Sequence, residues 1–296
     1  PRSLQEQRAQ TYAEYAWPRR FAQLFDRNGT IVSLVTALGI ALVLMLAAGL
    51  VDPDALYRAH PVVPGSFYAV IPLWAMQATG ILTFGFSLIA LAMGARNFWR
   101  DAGPRERPGP VALGIALWDV LTLKNLGGGG HGCNDASERF SMRRRWLHHA
   151  MFYGFFLCFA ATCTAFVYGT LFGWEAPYAL TSVPVLLGTV GGLLLLVGTV
   201  GLFAMKLVDD PMPAARNLLG ADVALLMLLA LAALTGLVLL ALRGTGAMGI
   251  ALAVHLGVIL SLFVALPYSK MVHGVYRTAA LLRRATERNM KPLGGE

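Results

Sequence analysis

Cysteine is scarce in this chain: Cys133, Cys158 and Cys163 are the only three among 296 residues. They make no CxxC or CxxCxxC run, so the chain by itself builds neither an iron–sulfur cluster nor a structural zinc site. Thiols so spaced also exclude a disulfide framework. Charge is sparse too: Asp, Glu, Lys and Arg are 14% of the residues, against about 25% in an ordinary soluble domain. With 56% hydrophobic residues, the chain reads as an integral membrane protein built of spans, not as one large soluble core. There is no internal repeat. No Lys-Ser/Thr follows the glycines at Gly127–Gly130, which excludes a phosphate-binding P-loop. An initiator Met and a cleavable signal pattern are both missing, so the segment opening at Pro1 reads as a fragment or a processed product.

Six apolar runs are present: Ile31–Val51, Phe67–Ala95, about Ala150–Gly173, Ser182–Met205, Val223–Leu242, and a last run from Ala247 to about Tyr276. Each has the roughly 20 apolar residues a crossing helix needs. None shows the alternating, ~10-residue segments of a membrane barrel. The expected fold is therefore an all-α polytopic membrane bundle of six transmembrane helices. Lysine and arginine set its orientation. Five lie in the amino-terminal segment, nine in the 96–147 connection, two in the 206–218 loop and six from Lys270 onward, 22 of the 24. The positive-inside rule then puts both termini and the long connection in the cytoplasm. The net charge of +8 follows this topology and does not point to nucleic acid.

Residues 1–30 read as an interfacial or linker segment. Tyr12, Tyr15, Trp17, Arg19 and Arg20 suit a membrane surface, and a solvated linker helix is equally open. Residues 31–276 form the membrane domain, and 277–296 a cytoplasmic tail. Within the 96–147 connection, Pro104–Pro110 is a turn-rich linker. The apolar stretch Val111–Leu126 is too short to cross and reads as an interfacial helix. The loop Gly127–Cys133, with His131, allows close backbone approach. It is either a hinge or a seat for a partner domain or a quinone headgroup.

The histidines carry the chemistry. His255 and His273 lie eighteen residues apart in the last run. On one continuous helix they would share a stripe about 27 Å long, close to the hydrocarbon thickness of a bilayer. Ionisable groups inside a span are costly, so functional use is the first hypothesis for His255. His148 and His149 open the third span at the same face where His273 closes the sixth. Two neutral imidazoles on facing helices hold a b-type haem between them. Adjacent residues are about 100° apart on a helix, so one of His148 and His149 should face His273. Arg144, Arg145 and Arg277 are candidates for haem propionates, and positive-inside anchoring explains the same arginines. A second haem at His255 needs a second ligand; His60 on the outward loop and Met76 are the candidates. Trp146, Tyr268 and Lys270 are candidate donors to a quinone headgroup, though such residues belong at interfaces anyway.

Motifs add to this reading. The run Asn125-Leu126-Gly127-Gly128-Gly129-Gly130-His131-Gly132-Cys133, then Arg145-Trp146-Leu147-His148-His149 and Phe152-Tyr153-Gly154-Phe155, resembles the tricarballylate-utilisation protein B family (TcuB/CitB). The resemblance covers nearly the whole chain, including Thr11-Tyr12-Ala13-Glu14-Tyr15-Ala16-Trp17-Pro18. It implies an electron carrier in the bacterial inner membrane. An FAD-dependent dehydrogenase oxidises a substrate such as tricarballylate. Its electrons pass through iron–sulfur clusters, expected on an amino-terminal part absent from this sequence, to haem b and on to quinone. A related module serves in cobalamin ring contraction. The membrane part is also similar to the gamma subunit of respiratory nitrate reductase, a di-haem bundle whose two histidines eighteen apart match His255 and His273. That family's other ligand helix has two histidines ten apart; here the tenth residue after His148 or His149 is Cys158 or Phe159. One haem is thus expected, with room for a second. A haem-free anchor or tricarboxylate transporter is the competing class. A transporter is expected to show interrupted helices, inverted repeats and midplane charge, and the span interiors here hold almost none.

Overall fold

The computed structural model describes residues 11–24, 28–102, 107–126, 141–208 and 219–290. The loop Gly127–Cys133, with His131 and Cys133, lies outside them. Among the described residues the chain is all-α, with no strand. A short helix, α1 (Arg19–Leu24), precedes α2 (Asn28–Leu50), α3 (Leu73–Ala102), α4 (Pro110–Leu121), α5 (Arg143–Leu171), α6 (Val183–Val208), α7 (Leu219–Leu242), α8 (Met248–Ala265) and α9 (His273–Met290). Six of these, α2, α3 and α5 to α8, are long and apolar enough to cross a membrane. The protein is a multi-pass membrane protein.

α8 is the central column. Its buried residues run round the helix, Leu252, Ala253, Gly257, Val258, Ser261 and Leu262 among them, while α2, α3 and α7 pack against it. A helix buried all round is what a sequence with no polar face should give. Close approach comes from small residues, because lipid tails are as apolar as leucine and packing must drive association. A Cβ on Gly257 would lie 2.8 Å from the Ile40 nitrogen and 3.0 Å from the Gly39 carbonyl oxygen. Ser261 Oγ donates to its own Gly257 carbonyl at 2.7 Å and stands 3.1 Å from the Val35 carbonyl of α2. Facing outward on α2, Leu34, Leu38, Leu42 and Met45 are exposed at near four-residue intervals, which is the lipid side.

α5 and α6 form a second unit, an antiparallel pair held backbone to backbone. A Cβ on Gly154 would sit 2.8 Å from the Gly191 carbonyl oxygen; one on Gly191, 2.8 Å from the Cys158 nitrogen; one on Gly198, 2.7 Å from the Leu147 carbonyl oxygen. Glycine is required at these three crossings because no side chain fits.

The last apolar run is not one helix. α8 ends at Ala265, a turn and a 3-10 segment Lys270–Val272 follow, and α9 starts at His273. The expectation of one stripe carrying both His255 and His273 is therefore corrected. The reason is Pro267: it has no N–H to give the carbonyl four residues back and its ring clashes there. That carbonyl, Phe263 O, accepts instead from the Leu266 N–H at 3.3 Å and from the buried Ser87 hydroxyl of α3. The break is thus satisfied by a neighbouring helix, as backbone polar groups in lipid must be.

The break redirects the chain. α9 has a strongly two-sided sequence and packs against α4 and α3. Ala112 and Ala116 of α4 and Ala285 of α9 are buried together, with Leu281 and Leu282 beside them. On its other side α4 exposes Val111, Leu113, Leu117 and Trp118. Residues 277–290, expected as a tail, are thus a docked helix. Residues 11–24 lie over the same junction: the Tyr12 ring stacks on Tyr276 at 5.5 Å, and Tyr268 Oη donates to the Trp17 carbonyl at 3.1 Å. The start of α5 moves too, from Ala150 to Arg143, which places His148 and His149 in its second turn.

Candidate functional site

His148 of α5 and His273 at the start of α9 face each other, with ring centres 6.5 Å apart and planes at 73°. They come from parts of the chain 125 residues apart in sequence, joined only because α5 and the α8–α9 turn reach the same end of the bundle. His273 Nδ1 bonds the carbonyl of Lys270. A carbonyl only accepts, so this nitrogen carries the proton and Nε2 is left with the lone pair. Burial pushes His273 below its ordinary pKa of 6.5, which favours the neutral imidazole. His148 Nδ1 is buried and has no hydrogen-bond partner. An imidazole–metal bond is about 2 Å, so two rings either side of one metal ion have centres roughly 6 Å apart. The residue types and their spacing are ones that would suit a haem iron held between the two rings.

His149 turns elsewhere. Its Nδ1 bonds the Arg145 carbonyl at 2.9 Å, and its ring stacks on Tyr153 at 5.9 Å and 14°. Of the pair, His148 is the one that faces His273. Arg145 is engaged structurally, donating from Nη2 to the Thr122 carbonyl at 2.9 Å and so tying the start of α5 to the end of α4. Arg277 lies one turn beyond His273, exposed, and its charge opposes protonation of that ring. Arg144 is half-buried, about one helical turn before His148.

The three candidate quinone residues do not converge. Trp146 is 68% exposed on the outer side of α5. Tyr268 Oη goes to the Trp17 carbonyl. Lys270 Nζ pairs with Asp222. Nor is His255 brought to His60. His255 Nδ1 lies 3.0 Å from Thr235 Oγ1 on α7. The hydroxyl hydrogen has the Leu231 carbonyl at 2.8 Å, so Oγ1 accepts from the ring. Gly236 leaves room for it: a Cβ there would lie 3.0 Å from His255 Cε1. His60 Nε2 instead stands 2.8 Å from the Ala55 carbonyl in the loop between α2 and α3. Met76 lines a crevice with Ile71, Leu256, Ile259 and Phe263.

Sequence reasoning passed over Asp222. Lys206 Nζ of α6 lies 2.6 Å from its Oδ2, and Lys270 Nζ pairs with Oδ1. A carboxylate opening an otherwise apolar span was the available signal. Both lysines count toward the positive-inside orientation, and Lys270 is also a candidate quinone donor.

By its fold and this site, the molecule is a polytopic helical membrane protein with a pair of facing imidazoles where its spans meet an amphipathic surface helix. The chain belongs to the citrate utilization protein B family, whose model matches residues 25–293. It is 42% identical over 293 residues to citrate utilization protein B of Escherichia coli, an alignment covering 97% of this chain and 75% of that protein. The motif resemblance at the glycine-rich and His-His stretches is therefore borne out. No solved structure matches the chain.

Proposed function

We propose that this protein is a membrane b-type cytochrome subunit in tricarboxylate utilisation, held in a bacterial inner membrane with both termini in the cytoplasm. His148 and His273 hold one haem b. Electrons arrive from a cytoplasmic flavoprotein and iron–sulfur partner that oxidises a tricarboxylate, and they leave to membrane quinone. The family's name for its Escherichia coli member supports the citrate setting. The observation that carries the redox reading is the facing pair of imidazoles at 6.5 Å.

When bound, a haem iron accepts and releases single electrons. The chain's own part is to present two neutral nitrogens. The Lys270 carbonyl fixes the His273 tautomer, and the backbone-to-backbone seating of α5 on α6 fixes the height of His148. Arg277 adds positive charge at the cytoplasmic edge, suited to carboxylates of the group or to an acidic partner. His255, already hydrogen-bonded to Thr235, is assigned a structural role.

The test is the visible spectrum of the full chain purified in detergent. Dithionite reduction should give sharp α and Soret bands. His148→Ala and His273→Ala should abolish them, and His149→Ala should keep them. A colourless protein from haem-replete cells refutes the proposal and favours a haem-free anchor or transporter.

A further inference from the structure

Three side chains from three elements meet beside His273. Asp222 opens the apolar part of α7, Lys206 closes α6, and Lys270 begins the 3-10 turn leading into α9. The carboxylate is largely covered, with 17% of its side chain exposed. A half-buried charge shared between two cations is held in place more firmly than an exposed pair, because removing one partner strands the others. Lys270 is also the residue whose carbonyl takes the His273 ring nitrogen, and the His273 backbone N–H as well. One residue is thus gripped at its side chain by α7 while its backbone orients the imidazole. Ser269 adds the turn's cap, its Oγ accepting from the Met271 N–H at 3.3 Å.

We propose that Asp222 is a positioning residue: by anchoring Lys270 it holds the Lys270 carbonyl on His273 Nδ1 and so keeps the ligand lone pair on Nε2. This rests on the haem reading only for its purpose; the tautomer itself is a property of the protein alone. Without the carboxylate, Lys206 and Lys270, with 27% and 46% of their side chains exposed, face each other unpaired. Repulsion drives Lys270 outward, turns its peptide, and frees the ring to exchange tautomers. Partners that orient a metal-binding histidine typically change affinity about 10–100-fold when lost.

Two measurements on the full chain test this. Nitrogen-15 spectra of histidine-labelled protein from haem-starved cells, assigned with His273→Ala, report the tautomer. Wild type should show His273 protonated at Nδ1 and bare at Nε2. Asp222→Asn and Lys270→Met should show mixed tautomers, Asp222→Glu should restore the wild-type pattern, and Lys206→Met, which leaves the Asp222–Lys270 pair, should keep it. In haem-replete protein, Asp222→Asn should lose haem about 10-fold more readily on dilution and shift its midpoint potential. An unchanged tautomer in both Asp222→Asn and Lys270→Met overturns the inference. A colourless wild type with the expected tautomer pattern overturns the haem reading and leaves this one standing.

Discussion

The α5–α6 contact allows a prediction whose size follows from distances. Consider Gly198→Ala. The added methyl would lie 2.7 Å from the Leu147 carbonyl oxygen and 2.8 Å from the Met151 Cα, where carbon contacts are comfortable at about 3.5–4.0 Å. Both obstacles are backbone, so no side chain can swing away. The helices must part by roughly 1 Å along this crossing, and each displaced atom pair loses part of its dispersion energy. Overpacking of this kind costs about 1–3 kcal/mol. The better helix propensity of alanine returns about 0.5–1 kcal/mol, so the net loss is roughly 0–2.5 kcal/mol, a fall in Tm of about 2–4 °C per kcal/mol. Leu147 precedes His148, so the shift also reaches the candidate ligand. The assay is thermal unfolding in detergent, read by circular dichroism, with three controls. Gly80→Ala and Gly85→Ala, where a Cβ meets nothing within 4 Å, should be neutral or mildly stabilising. Gly201→Ala, whose nearest obstacles are atoms of the Leu147 side chain, should fall between. If Gly198→Ala matches Gly80→Ala, the close backbone contact of α5 and α6 is wrong.

Other outcomes follow from the buried polar groups. Thr235→Val removes the partner of His255 Nδ1 and should cost about 1–3 kcal/mol in the same unfolding assay, with the haem spectrum unchanged; loss of the spectrum would instead make His255 a ligand. For pH, His273 has a folded-state pKa below its ordinary 6.5. Between the two values the unfolded chain binds the extra proton, so stability should fall as pH drops below about 6.5 and recover toward neutrality. Thermal unfolding from pH 5 to 7.5 checks this, and His273→Gln should make the curve less steep.

Much of the architecture was legible in one dimension. A bilayer offers no water to backbone groups, so long apolar runs have little choice but helix, and six such runs stand out from Ile31 to about Tyr276. The family, too, was readable from the Gly127–Cys133 and Arg145–His149 stretches. Pro267 was visible in the same letters. Its effect was missed because an apolar run with one proline still passes as a span; that the freed Phe263 carbonyl finds Ser87 is information held by another helix.

The site divides along the same line. Which residue types could bind iron is a matter of side-chain chemistry, so the sequence alone nominated His148, His149, His255 and His273. Which of them meet is a matter of direction in space. His148 turns to His273 while its neighbour stacks on Tyr153, and His255 is taken by Thr235. Asp222 shows the difference most plainly. As a letter it is one acid at the head of an apolar stretch. Its two lysines lie 16 residues before it and 48 after it, and only the folded bundle brings their charges close enough to attract.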